Sequence, residues 1–323
     1  MLSPKTHIKA FPLRPLSLGA MLAFGLANGL TLAATTVTLE PDTFRVTRGS
    51  SSTHGVDAVS VALTASEPEP MPEPPEEPGT PGTNPPTTDG GVWSPAPGTS
   101  WQWQLTGSID TSLDVDMYDI DLFDAPQSDI DTLKTRGVAV ICYFSAGSYE
   151  DWRTDAGMFP TSVIGSNNGW EGERWLDISD IDSLANVMRE RLDLAVRKGC
   201  DGVEPDNIDG YTNSTGFPLT AQDQINYNIW LADEAHARGL SIGLKNDVDQ
   251  VEQLEPYFDW ALNEQCYQYS ECETLLPFVE AGKAVFGVEY SGNTSAICST
   301  TNALDFDWLI KSLDLDASRE SCR

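Results

Sequence analysis

Histidine is almost missing from this chain, with three in 323 residues. Only His54 and His236 lie beyond the N-terminal leader, and His236 sits near the end of a predicted helix. That scarcity excludes chemistry built on imidazole, such as Ser-His-Asp hydrolysis or metal-dependent deacetylation. The six cysteines have no CxxC spacing, so no metal site is expected. Positive charge is also scarce. Nineteen Lys and Arg face 49 Asp and Glu, a net charge of −30. Nucleic acid and anionic membrane surfaces are excluded as charge-driven partners, and a cationic partner is favoured. The excess is no tail, because residues 99–323 hold 40 acidic against 14 basic side chains. No Gly-rich phosphate loop is present, so no nucleotide cofactor is expected, nor any other. After the leader no apolar run is long enough to span a bilayer.

What is there begins with Lys5, Lys9 and Arg14, ahead of an apolar stretch that ends at Leu32-Ala33-Ala34. This reads as a signal peptide over residues 1–34, so a secreted protein is expected. Six cysteines suit an oxidising destination. Their positions suggest Cys266–Cys272 and Cys298–Cys322 pairs, with Cys142 and Cys200 either a third bridge or buried thiols. Residues 35–65 form a short segment without assignment. Residues 66–98 hold eleven of the 21 prolines among Glu, Thr and Gly, the composition of an extended linker. A single domain is expected over 99–323, acting as a monomer.

Within that domain short β-branched or aromatic runs alternate with amphipathic stretches. Strands are predicted at 101–105, 117–123, 138–145, 174–178, 202–206, 241–246, 260–266 and 284–290, with helices at 181–198 and 221–238. Eight strands alternating with helices imply an irregular (β/α)8 TIM-type barrel. A doubly wound open sheet is the weaker alternative, since it lacks its phosphate loop.

Barrel chemistry sits at the C-terminal strand ends. Read there, the sequence supplies Asp119 and Asp121, Tyr143 and Ser145, Asp177, Glu204 with Asp206 and Asn207, Lys245 with Asn246, Asn263 with Glu264, and Glu289 with Tyr290. Any one acid could be a solvated rim residue. The set is harder to dismiss, because apolar neighbours would bury several members, and unpaired buried carboxylates are costly. With histidine excluded, paired carboxylates remain, which is the equipment of glycosidic bond cleavage. Aromatic side chains that could stack on sugar rings include Tyr118, Tyr143, Trp152, Trp170, Tyr211, Tyr267 and Tyr290. Residues alone do not choose a pair among these acids.

Seven segments, in order, carry a resemblance. They are Asp-Ile-Asp-Leu-Phe-Asp (119–124), Ile-Cys-Tyr-Phe-Ser-Ala-Gly-Ser-Tyr-Glu-Asp-Trp-Arg (141–153), Trp-Leu-Asp-Ile (175–178), Gly-Cys-Asp-Gly-Val-Glu-Pro-Asp-Asn (199–207), Gly-Leu-Lys-Asn-Asp (243–247), Asn-Glu-Gln-Cys (263–266) and Val-Glu-Tyr (288–290). Together they resemble glycoside hydrolase family 114, whose characterised activity is endo-α-1,4-polygalactosaminidase. The resemblance implies an acidic cleft for a cationic aminosugar polysaccharide, with Asp206 as nucleophile and Glu264 as acid/base.

Around that pair, Glu204 is the main rival for a catalytic role, two residues before Asp206 on the same strand face. Asp119, Asp121 and Glu289 are expected to bind substrate amines. Lys245 is expected to hold neighbouring carboxylates ionised. Tyr143, Glu204, Asn207, Lys245, Asn246 and Tyr290 complete the expected substrate-binding set, although either Asn could instead cap a turn.

Overall fold

A computed structural model gives the structure of the protein and describes residues 91–323. The expected signal peptide, the 35–65 segment and most of the linker lie outside the described residues. Twelve strands are present among the described residues: β1 (Trp101–Gln104), β2 (Met117–Asp121), β3 (Ala139–Ser145), β4 (Ser148–Glu150), β5 (Ile164–Asn167), β6 (Glu173–Leu176), β7 (Gly202–Asp206), β8 (Ser241–Lys245), β9 (Trp260–Glu264), β10 (Val285–Glu289), β11 (Asp307–Ile310) and β12 (Glu320–Ser321).

One sheet runs β1-β2-β3-β7-β8-β9-β10-β11-β12 and curls into the barrel. Its first eight strands pair in parallel, and β12 folds back antiparallel on β11. The edges β1 and β11 meet through side chains rather than a ladder. Trp101 Nε1 donates to the Asp307 carbonyl at 2.9 Å, and the Gln102 side chain donates to the Ala317 carbonyl, in the segment after β11, at 2.8 Å.

The predicted fourth strand is a correction. Its core, β6, joins β4 and β5 in a separate antiparallel sheet. Glu173 and Arg174 at its start are partly or fully exposed, which suits a one-sided antiparallel layer and not a strand roofed by helices. The eighth barrel strand is β11, whose Trp308 and Leu309 are buried. Asp177, expected at a barrel strand end, therefore follows a strand of the small sheet.

Parallel strands need crossovers, and α1 (Gln127–Thr135), α2 (Ile181–Lys198) and α3 (Ala221–His236) supply three of them. Asp180 caps α2, which ends at Gly199 with φ +83°. Thr220 and Asp223 form a capping box on α3. His236 closes α3 and bonds Asp259 at 2.9 Å, far from the strand ends that matter.

Side chains alternate across the sheet, which produces two cores. Outward residues pack against the helices. Inward residues fill the barrel with Trp101, Trp103, Ile141, Trp260, Leu262 and Phe286 among others. Contacts with the barrel begin before the expected boundary at residue 99. Pro95 accepts from the Ala284 amide at 2.9 Å, and the Gly98 amide donates to Asp307.

All six cysteines are bridged, as Cys142–Cys200, Cys266–Cys272 and Cys298–Cys322. The first ties β3 to the chain entering β7, so the alternative of a third bridge holds.

Candidate active site

The inner face of β7 determines the site. Register pairs Tyr143 with Glu204 and Ser145 with Asp206, so alternation survives Pro205. Glu204 and Asp206 therefore both point into the barrel, but at different depths. Glu204 is fully buried, whereas the Asp206 side chain is 20% exposed. Of the two, Asp206 is the one open to the barrel mouth.

Lys245, on β8, occupies the centre. Its Nζ lies 2.8 Å from Glu204 Oε1, 3.0 Å from Asp206 Oδ1 and 3.4 Å from Glu264 Oε2. It also sits 4.8 Å from the Trp103 ring centroid. Burial opposes its charge, but Asp206, Glu204 and Glu264 outweigh burial and push its pKa well above the ordinary lysine value. Lys245 is thus an internal cation, with 2% of its side chain exposed.

Asp206 shows the reciprocal effect. Burial favours its neutral form, yet Lys245, the Tyr143 hydroxyl and the Asn207 amide hold its pKa below the usual carboxylate value. Tyr143 donates to Asp206 Oδ2 at 2.9 Å. Burial first, then the charge of Asp206, pushes the Tyr143 pKa well up, so it remains a donor. Glu264, on β9, is held similarly at the mouth with 23% of its side chain exposed. Tyr290 donates to its Oε1, and Asn246 donates to Oε2 at 3.3 Å while accepting from the Glu264 amide at 2.9 Å.

Beneath this layer lies a second one. Trp103 Nε1 donates to Glu204 Oε2 at 2.9 Å. Asp119 is buried against Glu204, and burial together with Glu204's charge pushes its pKa well above the normal value. Burial raises Glu204 itself to about 7, against the pull of Lys245.

Strand ends here carry backbone strain. Asn207, Asn246, Asp247 and Gln265, directly after β7, β8 and β9, have φ between +46° and +69°. Side chains other than glycine seldom adopt this region except Asn and Asp, and such strain concentrates at functional sites.

Four residues expected to contact substrate are buried or engaged by partners within the protein. Glu289 points outward, is fully buried, and accepts from the Tyr267 amide at 2.9 Å. Asp121 is held by Arg153 at 2.7 and 3.1 Å and by the amides of Phe123 and Asp124 at 2.8 Å. Asn207 turns its amide to Ser145 Oγ at 2.9 Å and braces the rim turn. Asp119 lies below Glu204, out of reach. In each case the residue type was read correctly, but its direction is set by pairing and depth. Trp103 and Arg153 were missed. The alternation of Trp101 and Trp103 marks an inward face, but no sequence signal announces which acid that face meets.

Among the described residues, no cluster of His, Cys, Asp or Glu is arranged to hold a metal ion. The site offers two partly exposed carboxylates at one mouth, one oriented by a lysine and a tyrosine, the other by a tyrosine and an asparagine. That arrangement supports nucleophilic attack by one carboxylate and proton transfer by the other.

The chain is similar to the solved structure of Aspergillus fumigatus Ega3 in complex with galactosamine, at 44% identity over 72% of this chain and 98% of that one, with a TM-score of 0.69. It shares its fold with the glycoside hydrolase domain of PelA from Pseudomonas aeruginosa, at 13% identity over 69% and 97% of the two chains, TM-score 0.54. No curated protein matches. The model of glycoside-hydrolase family GH114 matches residues 82–323. The chain belongs to this family and is a glycoside hydrolase.

Proposed function

We propose that the chain is a secreted, endo-acting, retaining hydrolase of partly deacetylated α-1,4-linked galactosamine polysaccharide. Asp206 is the nucleophile and Glu264 the acid/base. One observation carries the mechanism: Asp206 Oδ1 and Glu264 Oε2 both lie within 3.4 Å of Lys245 Nζ. Two oxygens so placed lie at most about 6.4 Å apart, short of the ~6.5–9.5 Å gap of inverting enzymes, which supports retention. Galactosamine is supported by the ligand named for the 44% identical relative and by the acidic charge of the domain. Secretion is supported by the N-terminal leader and three disulfides.

In the first step Asp206 attacks the anomeric carbon while Glu264 gives its proton to the departing glycosidic oxygen. Asp206 loses its negative charge in the ester, and Glu264 gains one. Lys245 already contacts both, so the ammonium keeps an anionic partner in each state without moving far. In the second step Glu264 takes a proton from water, the water attacks the anomeric carbon, and Asp206 leaves as carboxylate.

The test is reducing-end release from deacetylated α-1,4-galactosamine polymer, with Asp206→Asn and Glu264→Gln beside the parent. Cleavage by the parent and a loss of ~10²-fold or more in both variants are expected. A folded parent that binds the polymer without cutting it would make this a binding protein. Equal rates on fully acetylated or neutral α-linked chains would move the substrate to another glycan. Inverted product, read by NMR of the first-formed anomer, would reassign Asp206 as a general base.

A further inference from the structure

We propose that Trp152, with Asp124, forms a second binding platform for the aminosugar polymer, on the barrel rim outside the carboxylate cleft. This rests on the substrate reading above. Trp152 is 51% exposed, whereas Trp101, Trp103, Trp260 and Trp308 are at most 1% exposed. One exposed aromatic is ordinary. What distinguishes Trp152 is how firmly its surroundings hold it.

Its loop follows Ser145 at the end of β3, the strand whose Tyr143 bonds Asp206, and so belongs to the catalytic rim. The flanking residues Glu150 and Arg153 are both buried and bonded to each other at 2.9 Å. Arg153 is further anchored on Asp121. The Asp151 amide donates to the Gly172 carbonyl at 3.1 Å. Gly172 has φ +87°, and a Cβ there would come within 2.9 Å of the Trp152 ring. One edge of the indole is therefore packed against backbone while the rest faces solvent. A ring held in place loses little entropy when a ligand stacks on it.

Beside the indole is an open depression of ≈ 430 Å³, lined by Phe123, Asp124, Trp152, Thr154, Leu194 and Lys198 among others. That volume falls within the ~300–1,000 Å³ of small-molecule sites. Its cations are already committed. Lys198 Nζ donates to the Leu122 and Ala125 carbonyls, each at 2.7 Å, and Arg153 serves buried acids. The Asp124 carboxylate is 78% exposed, with one longer contact to Arg153 at 3.4 Å. Aromatic surface next to an exposed carboxylate matches one hexosamine unit. Its C–H face packs on the indole and its ammonium pairs with Asp124.

The experiment uses full-length protein carrying Asp206→Asn, so that the polymer is bound and not cut. Affinity for partly deacetylated α-1,4-galactosamine chains is measured by calorimetry, with and without Trp152→Ala, Trp152→Phe, Asp124→Asn and Tyr257→Ala. Trp152→Ala is expected to weaken binding about five- to tenfold, and Trp152→Phe to retain most of the affinity. Asp124→Asn should weaken binding of deacetylated chains but not of fully acetylated ones. Tyr257, an exposed aromatic ahead of β9, should tolerate alanine without loss. Unchanged binding in Trp152→Ala, or equal losses in its Ala and Phe variants, overturns the platform while the substrate reading stands. If the parent neither binds nor cleaves the polymer, both fall together.

Discussion

The Lys245 ammonium stands 3.0 Å from Asp206 Oδ1, on the side of that carboxylate turned away from the barrel mouth. Its burial would be unfavourable alone, and it is tolerated because three carboxylates surround it. Replacing Lys245 by Met leaves those carboxylates facing one another without a counter-charge. Stability should fall by about 3–5 kcal/mol, measured by denaturant unfolding. Asp206, no longer held low, should titrate at higher pH, so the acid limb of the pH–activity profile moves up. An acid limb that stays in place would remove Lys245 from the electrostatics of Asp206.

Gly243 lies under the Trp260 indole inside the barrel. A Cβ at this position would fall 2.3 Å from Trp260 Cζ3, and the ring is pinned by its Nε1 bond to Ser241 Oγ at 3.0 Å. Gly243→Ala is expected to cost about 1–3 kcal/mol through overpacking. That corresponds to a fall in Tm of roughly 3–10 °C by calorimetry. A variant melting with the parent would show that the indole can move aside.

Burial raises the pKa of several carboxylates. Burial pushes Asp247 to about 8, and Glu150 and Glu289 to about 7. In the unfolded chain such groups titrate near ~4. Between about pH 4.5 and 8 the native state binds more protons than the unfolded state, so stability falls as pH rises across that window. The Tm should be lower at pH 8 than at pH 5. Asp247→Asn should flatten this slope, because it removes the titrating group at a site where, among the described residues, Asp247 Oδ1 has no hydrogen-bond partner and Oδ2 only accepts, from Asn228 at 3.0 Å. A Tm that climbs over this range contradicts the assignment.

Charge should also act at a distance. If the acidic surface draws in a cationic polymer, raising salt from ~20 mM to ~500 mM should lower kcat/KM on deacetylated polymer, since screening shortens to a few ångströms. Short acetylated chains should respond much less. Indifference to salt on the cationic polymer would separate the net charge from substrate capture.

Much of the site was legible because chemistry-bearing residues gather at strand ends, and strand ends could be counted. The fold class followed from the alternation of strands and helices. The fourth strand was misplaced because 174–178 has the apolar content of a barrel strand, and only its antiparallel partners β4 and β5 reveal its true sheet. The eighth strand, β11, is four residues long and was hidden in the tail. Glu289 and Tyr290 are neighbours in sequence, yet only Tyr290 reaches the cleft, because adjacent strand residues point to opposite faces.

By itself the sequence determined which carboxylates, tyrosines and cysteines this protein can use, since these are matters of composition and spacing. It also determined the alternation that builds a barrel, because periodicity is a local property of the chain. Only the tertiary structure decided that Asp206 faces the mouth while Glu204 lies beneath it. It likewise decided that Asp121 belongs to Arg153, and that one lysine unites strands β7, β8 and β9. Depth and partnership arise from sheet register and curvature between segments distant in sequence, and those long-range pairings are settled when the sheet closes.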